Sequence, residues 1–191
     1  YSSTCRNTWT ASVQAGDTLD FDNAASPSPL VGTYSLRGTS AGTTSSTLYV
    51  ATGTLSNIYA HTRLNFDAID TSPTADHHFL RFTRSTGSAV VCSAVYDNTT
   101  GKFGVYASTY VYHDDLVPSA DTTYYLWLEH VKNTSCSLYI STTTTKPETA
   151  SVTKTGLDYD VTGFMIDVNQ TADMVVDHIR INSSAIGSNP Q

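Results

Sequence analysis

Apolar and polar residues alternate along this chain with a period of two, the signature of strands that bury one face. The clearest run is IYAHTRLNFD, in which Ile58, Ala60, Thr62, Leu64 and Phe66 alternate with Tyr59, His61, Arg63, Asn65 and Asp67. The segments 78–84, 90–96, 102–108, 123–132, 136–141, 163–168 and 174–182 follow the same rule, and 8–13, 18–21, 34–38 and 47–51 extend it toward the start. Between them lie turn signals: Ser26-Pro27-Ser28-Pro29, Gly42-Thr43, Asp97-Asn98-Thr99-Thr100-Gly101 and the stretch 142–147. The pattern predicts about a dozen short strands at intervals of about ten residues. No stretch has a helical period, and no strand–helix–strand alternation occurs. Two packed antiparallel sheets, an all-β sandwich, are therefore expected. The STTTT run at 141–145 is too short to be a linker. The expectation is one domain, 1–191, with short extensions at 1–8 and 183–191.

Composition agrees. Apolar residues make up 39% and charged residues 14%, which excludes a disordered acidic tail and a charged helical bundle. There are 23 Ser, 31 Thr and 12 Tyr against two Glu and four Lys, so β formers dominate helix formers. The net charge is −7, and no window gathers a basic footprint, so nucleic acid is not an expected partner. No apolar run approaches the roughly 20 residues of a membrane-spanning helix, and membrane insertion is not expected. The chain starts at Tyr1 rather than Met, and this, with abundant Ser, Thr and Tyr, fits the mature form of an exported, extracellular protein. Of the three cysteines, Cys92 and Cys136 sit in apolar alternation, either as two buried thiols or as a bridge. Cys5 lies in a polar stretch, where it is placed to cross-link to another chain. No Cys/His spacing suggests zinc.

The segment Val31-Gly32-Thr33-Tyr34-Ser35-Leu36-Arg37 is similar to the "G-x-Y-S-L" strand near the start of many secreted jelly rolls. It is followed in order by IYAHTRLNFD, TTYYLWLEH (122–130), SLYIS (137–141) and VVDHIRI (175–181). Together these resemble the concanavalin A-like, laminin-G-like sandwich domains of bacterial and phage surface proteins and carbohydrate-active enzymes, over roughly residues 8 to 182. Jelly-roll carbohydrate-binding modules share the closing strand with its Asp. The resemblance implies fold more than function, because such domains serve as lectins, lyases, hydrolases and structural modules. In the binding modules a structural Ca²⁺ often joins an early loop to the closing-strand Asp. Carried over, this implies Asp22 and Asp177 as ligands, with Asp20 a weaker third. Fifteen of the seventeen acids are Asp, a residue suited to calcium coordination. The same residues also suit turn capping and the protection of edge strands.

Catalytic chemistry is poorly represented. Glu129 is the only Glu in an expected strand, and its same-face neighbours Trp127 and Val131 are not acids, so the paired carboxylates of glycoside hydrolysis are missing. The acidic pattern of laminarinase-like enzymes and the Arg-rich and Gln-x-His strands of alginate-lyase-like relatives are absent too. His77-His78 and His113-Asp114-Asp115 fall at strand ends or in loops. No nucleophile elbow or phosphate loop occurs. Aromatic residues are better placed for sugar stacking or for subunit contact: Tyr125 and Trp127 share one strand face, and Tyr106 and Tyr139 come from other strands, with Tyr110 and Tyr112 nearby. Trp127 also fits a core position. Four glycosylation sequons, at Asn98, Asn133, Asn169 and Asn182, are about as many as this composition produces by chance. The resulting expectation is a non-catalytic extracellular subunit that assembles with copies of itself into a filament, tube, sheath or virion-surface layer, with segments 1–8 and 183–191 as contacts and Ca²⁺ at loops or joints. The alternative is a carbohydrate-binding module or lectin for a polysaccharide. The third reading is a polysaccharide lyase or hydrolase.

Overall fold

The alternating runs pair into two antiparallel seven-stranded sheets in a computed structural model that describes residues 9–15, 18–22, 35–39, 46–69, 77–84, 89–97, 99–168 and 172–188. The strands are β1 (Trp9–Ser12), β2 (Thr18–Asp22), β3 (Ser35–Thr39), β4 (Ser46–Leu55), β5 (Asn57–Ile69), β6 (His77–Thr83) and β7 (Val90–Tyr96). They continue with β8 (Phe103–Ala107), β9 (Thr109–Tyr112), β10 (Thr123–Val131), β11 (Ser135–Ser141), β12 (Val152–Lys154), β13 (Val161–Val168) and β14 (Ala172–Asn182). The first sheet runs β1-β4-β13-β6-β7-β8-β9 and the second β12-β11-β10-β5-β14-β3-β2. The all-β, two-sheet sandwich expected from the alternation is what the chain forms.

The apolar halves of the alternating runs meet between the sheets. Ile58, Leu64, Phe66, Leu126 and Leu128 of the second sheet are buried in one core with Phe82, Phe103, Val105, Phe164 and Ile166 of the first. Phe66 packs near edge-on to Phe79, with ring centroids 6.1 Å apart, and Phe103 meets Tyr124 at 5.3 Å. Such geometry adds to the burial of each ring. Cys92 on β7 and Cys136 on β11 form a disulfide through this core, so a covalent bond joins the two sheets.

β5 is the spine of the second sheet. Its partner β10 places Tyr125 opposite Arg63, Trp127 opposite His61 and Glu129 opposite Tyr59. On the other side β14 sets Asp177 opposite Arg63, Arg180 opposite His61 and Asn182 opposite Tyr59. Tyr139 of β11 faces Trp127. Directly opposed residues point to the same side of an antiparallel sheet, so these side chains share the outer face. The register of β14 shifts between Asp177 and Arg180, a bulge in which His178 takes the left-handed conformation at φ 54°.

Two short strands were not apparent in the alternation. β9 follows β8 after a single residue, Ser108, which turns the chain with φ 66°. β12 has only three residues, paired to β11.

Candidate functional site

The outer face of the second sheet is unusual for a solvent-facing surface, because its polar residues are buried. His61 is 1% exposed, and Asn65, Trp127 and Glu129 are buried beside it. The cover comes from the chain after β14. There Ile186 is buried, and the Trp127 Nε1–H donates to the Gly187 carbonyl oxygen at 3.3 Å. The β11–β12 connection meets this segment: the Lys146 N–H donates to Ser188 Oγ at 2.9 Å. The Lys146 ammonium lies 4.0 Å from the centre of the Tyr139 ring and 2.5 Å from Glu129 Oε1. Between β14 and the returning segment is a cavity of about 470 Å³, lined by Ile179, Arg180, Asn182, Ile186 and Ser188.

His61 is at the centre of this face. Its ring lies 4.8 Å from Trp127, 5.9 Å from His178 and 6.5 Å, near parallel, from Tyr125. Neither ring nitrogen has a hydrogen-bond partner. Burial first, and then the neighbouring His178, Arg63 and Arg180, lower its pKa to about 3. The ring is therefore neutral, with one donor and one acceptor unmatched, which is rare for buried polar atoms. The Arg63 guanidinium lies 5.3 Å from the Tyr125 ring centre, and its Nε is also buried without a partner. Asn65 donates from Nδ2 to Thr123 Oγ1 at 3.5 Å, while its Oδ1 stays unmatched. Tyr139 is held above the ordinary tyrosine pKa by burial and by Glu129.

Two described acids near this face are engaged. Glu129 is held by Lys146, and Asp177 Oδ1 accepts from the His178 N–H at 2.5 Å. Among the described residues the face offers two guanidinium groups, aromatic rings and unsatisfied polar atoms, but no pair of uncommitted carboxylates.

The four expected aromatic contact residues divide between the sheets. Tyr125 and Tyr139 are half-buried on the face just described. Trp127 is on it too, but fully buried under the 183–188 segment; it is a support for the surface, not a contact on it. Tyr106 belongs to the outer face of the first sheet. There its ring lies 4.8 Å from that of Tyr110, which is near parallel to Tyr112 at 5.8 Å. The Tyr110 hydroxyl reaches His78 Nε2 at 3.0 Å, and His78 Nδ1 lies 3.1 Å from Ser93 Oγ. Tyr112 lies across Gly104, where a β-carbon would come within 2.6 Å of its ring.

For calcium, the backbone puts Asp20 and Asp22 on β2 and Asp177 on β14, with β3 between them. The side chains of Asp20 and Asp22 lie outside the described residues. Among the described residues no three His, Cys, Asp or Glu come together to hold a metal ion, and Asp177 is committed to its neighbour's amide. Cys5, the segment 1–8, and the sequons at Asn98 and Asn169 also lie outside the described residues. Asn133 sits at the β10–β11 turn with its Nδ2 donating to Asp158 Oδ1 at 3.0 Å. His113 serves its own loop, since Nδ1 accepts from the N–H groups of Asp115 and Leu116.

Sequence reasoning did not single out His61, Arg63, Asn65 or Arg180. The signal was present for the first three, which are the polar half of IYAHTRLNFD and so share one strand face.

No protein-family model matches the chain, and no curated protein matches it in sequence. Its fold is shared with solved structures. Against the cellulose induced protein Cip1 the TM-score is 0.61 at 10% identity, covering 95% of this chain and 94% of that one. A carbohydrate esterase of the Shiga toxin-encoding bacteriophage phi24B gives 0.57 at 13% identity, over 91% and 88%. The globular domain of T. cruzi calreticulin gives 0.55 at 10% identity, over 93% and 84%. Larger proteins contain the fold as one part; the chain spans 26% of Trypanosoma rangeli sialidase. At these identities the likeness is one of fold.

Proposed function

We propose that this protein binds a polysaccharide on the outer face of β5, β10 and β14, without catalysis and outside the cell. The observation that carries the reading is His61, a buried neutral imidazole with both nitrogens unmatched, set among Arg63, Arg180 and the Tyr125 ring beside a cavity of about 470 Å³. Sugar sites combine such features: rings for the apolar faces of the pyranose and fixed polar groups for its hydroxyls. The commitment of Glu129 and Asp177 to other groups argues for binding over hydrolysis. The Cys92–Cys136 disulfide supports an oxidising setting. Two proteins that share the fold, a cellulose induced protein and a carbohydrate esterase, are tied to carbohydrate by name. The self-assembly reading gains no comparable support, since segment 1–8 and residues 189–191 lie outside the described residues.

The test is a polysaccharide panel read by affinity electrophoresis and calorimetry, with two variants. Tyr125→Ala should weaken binding about tenfold by removing one stacked ring. Tyr110→Ala, on the opposite sheet, should leave affinity unchanged. Binding that is lost with Tyr110→Ala but survives Tyr125→Ala would place the site on the wrong face here. Shortening of the polymer on prolonged incubation would overturn the non-catalytic reading.

A further inference from the structure

We infer that the saccharide held on this face is anionic, bearing carboxylate or sulfate groups, with Arg63 and Arg180 as its counter-charges. The inference rests on the binding reading above and narrows it to a substrate class. Arg180 stands directly across from His61 on β14, and Arg63 lies two residues along β5 on the same side, so both guanidinium groups emerge on one small area. Arg180 also lines the cavity, together with the polar side chains of Asn182 and Ser188. Each arginine is only partly exposed, and neither makes an ion pair with another described residue. Of the described acids nearby, Glu129 is paired with Lys146 and Asp177 Oδ1 accepts the His178 N–H. Two partly desolvated guanidinium groups that no described carboxylate pairs with directly favour an anion between them, and their fork geometry matches carboxylate and sulfate oxygens. Charge complementarity gives the same answer at larger scale. The chain carries −7 with only ten Lys and Arg, yet two of those ten converge here. His61 lies in the same field, since His178, Arg63 and Arg180 all act against its protonation.

Alginate, chondroitin sulfate and the neutral hydroxyethylcellulose serve as probes, each measured by calorimetry at low and at near-physiological salt. The expected result is at least tenfold tighter binding of one or both anionic polymers than of the neutral one, with affinity falling as salt rises. Preference for alginate identifies carboxylate as the recognised group, and preference for chondroitin sulfate identifies sulfate. Arg63→Gln and Arg180→Gln should each cost about tenfold for the anionic polymer and flatten its salt dependence. Thermal melts verify that the variants are folded, and the salt dependence of the unaltered protein needs no variant. Tight, salt-insensitive binding of the neutral polymer, with the arginine variants unaffected, would overturn the anionic inference and leave the binding reading standing. Failure to bind any polysaccharide would overturn both.

Discussion

Acid should act on this protein first through its histidines. Burial lowers the pKa of His61 and of His77 to about 3 and that of His78 to about 4, all well below the ordinary 6.5. A histidine whose folded pKa is depressed binds fewer protons folded than unfolded, so stability rises with pH across the gap and is lost as pH falls below about 6.5. Asp167 opposes this: burial, only partly offset by the Arg81 guanidinium, raises its pKa to about 7, so it favours the folded state at the acid end of the same range. Three imidazoles outweigh one carboxyl, and the melting temperature should fall steadily from pH 6.5 to pH 4. A flat profile would show that the imidazoles are hydrated. Imidazole ¹⁵N shifts give the finer measurement, in which His61 should stay neutral at pH 5. Trp127→Ala should cost about 3–5 kcal/mol, as truncation of a buried ring does, and the loss should appear in chemical denaturation before it appears in affinity. Full stability in the variant would return Trp127 to the surface.

At the scale of the strand, alternation predicted most of the sheet elements, because a half-buried strand writes its period directly into the sequence. The exceptions have local causes. β9 is reached through a one-residue turn at Ser108 and spans only Thr109–Tyr112, too short for a period to show. Alternation also states which residues share a face but not which sheet the face belongs to. Alternation therefore groups Tyr106 and Tyr125 as candidate contacts, although they stand on opposite sides of the sandwich. The cover over Trp127 and His61 was illegible for another reason. It depends on 183–188 returning across β10, a closure between residues 60 apart, Trp127 and Gly187, that no local pattern encodes. Gly104 supplies a test of element packing. A β-carbon there would fall 2.6 Å from both Tyr112 and the Val111 carbonyl oxygen, so Gly104→Ala should push β9 away from β8. The expected cost is about 1–3 kcal/mol, typical of overpacking, with faster amide exchange confined to β9. Unchanged exchange there would mean that Tyr112 moves aside freely.

Considered whole, the molecule has two unlike outer surfaces: a tyrosine-rich one on the first sheet and an arginine-bearing, partly roofed one on the second. The disulfide is what ties them together, from β7 in one sheet to β11 in the other, closing 44 residues. In the chain-entropy view a loop of that size is worth about 4 kcal/mol. Cys92→Ala with Cys136→Ala should lower unfolding stability by roughly that amount in denaturant titration, and a loss below about 1 kcal/mol would show that the core alone holds the sheets together. The same bond has a mechanical meaning for a protein that grips a long polymer. Tension applied between β1 and β14 can peel strands only as far as Cys92 and Cys136; the segment between them, a sequence separation of 44, remains hidden from the load. At about 3.5 Å per extended residue, that withholds about 150 Å of contour length until the bond is reduced. A chain stretched between two surfaces would thus lengthen in two stages, the second available only to a reductant.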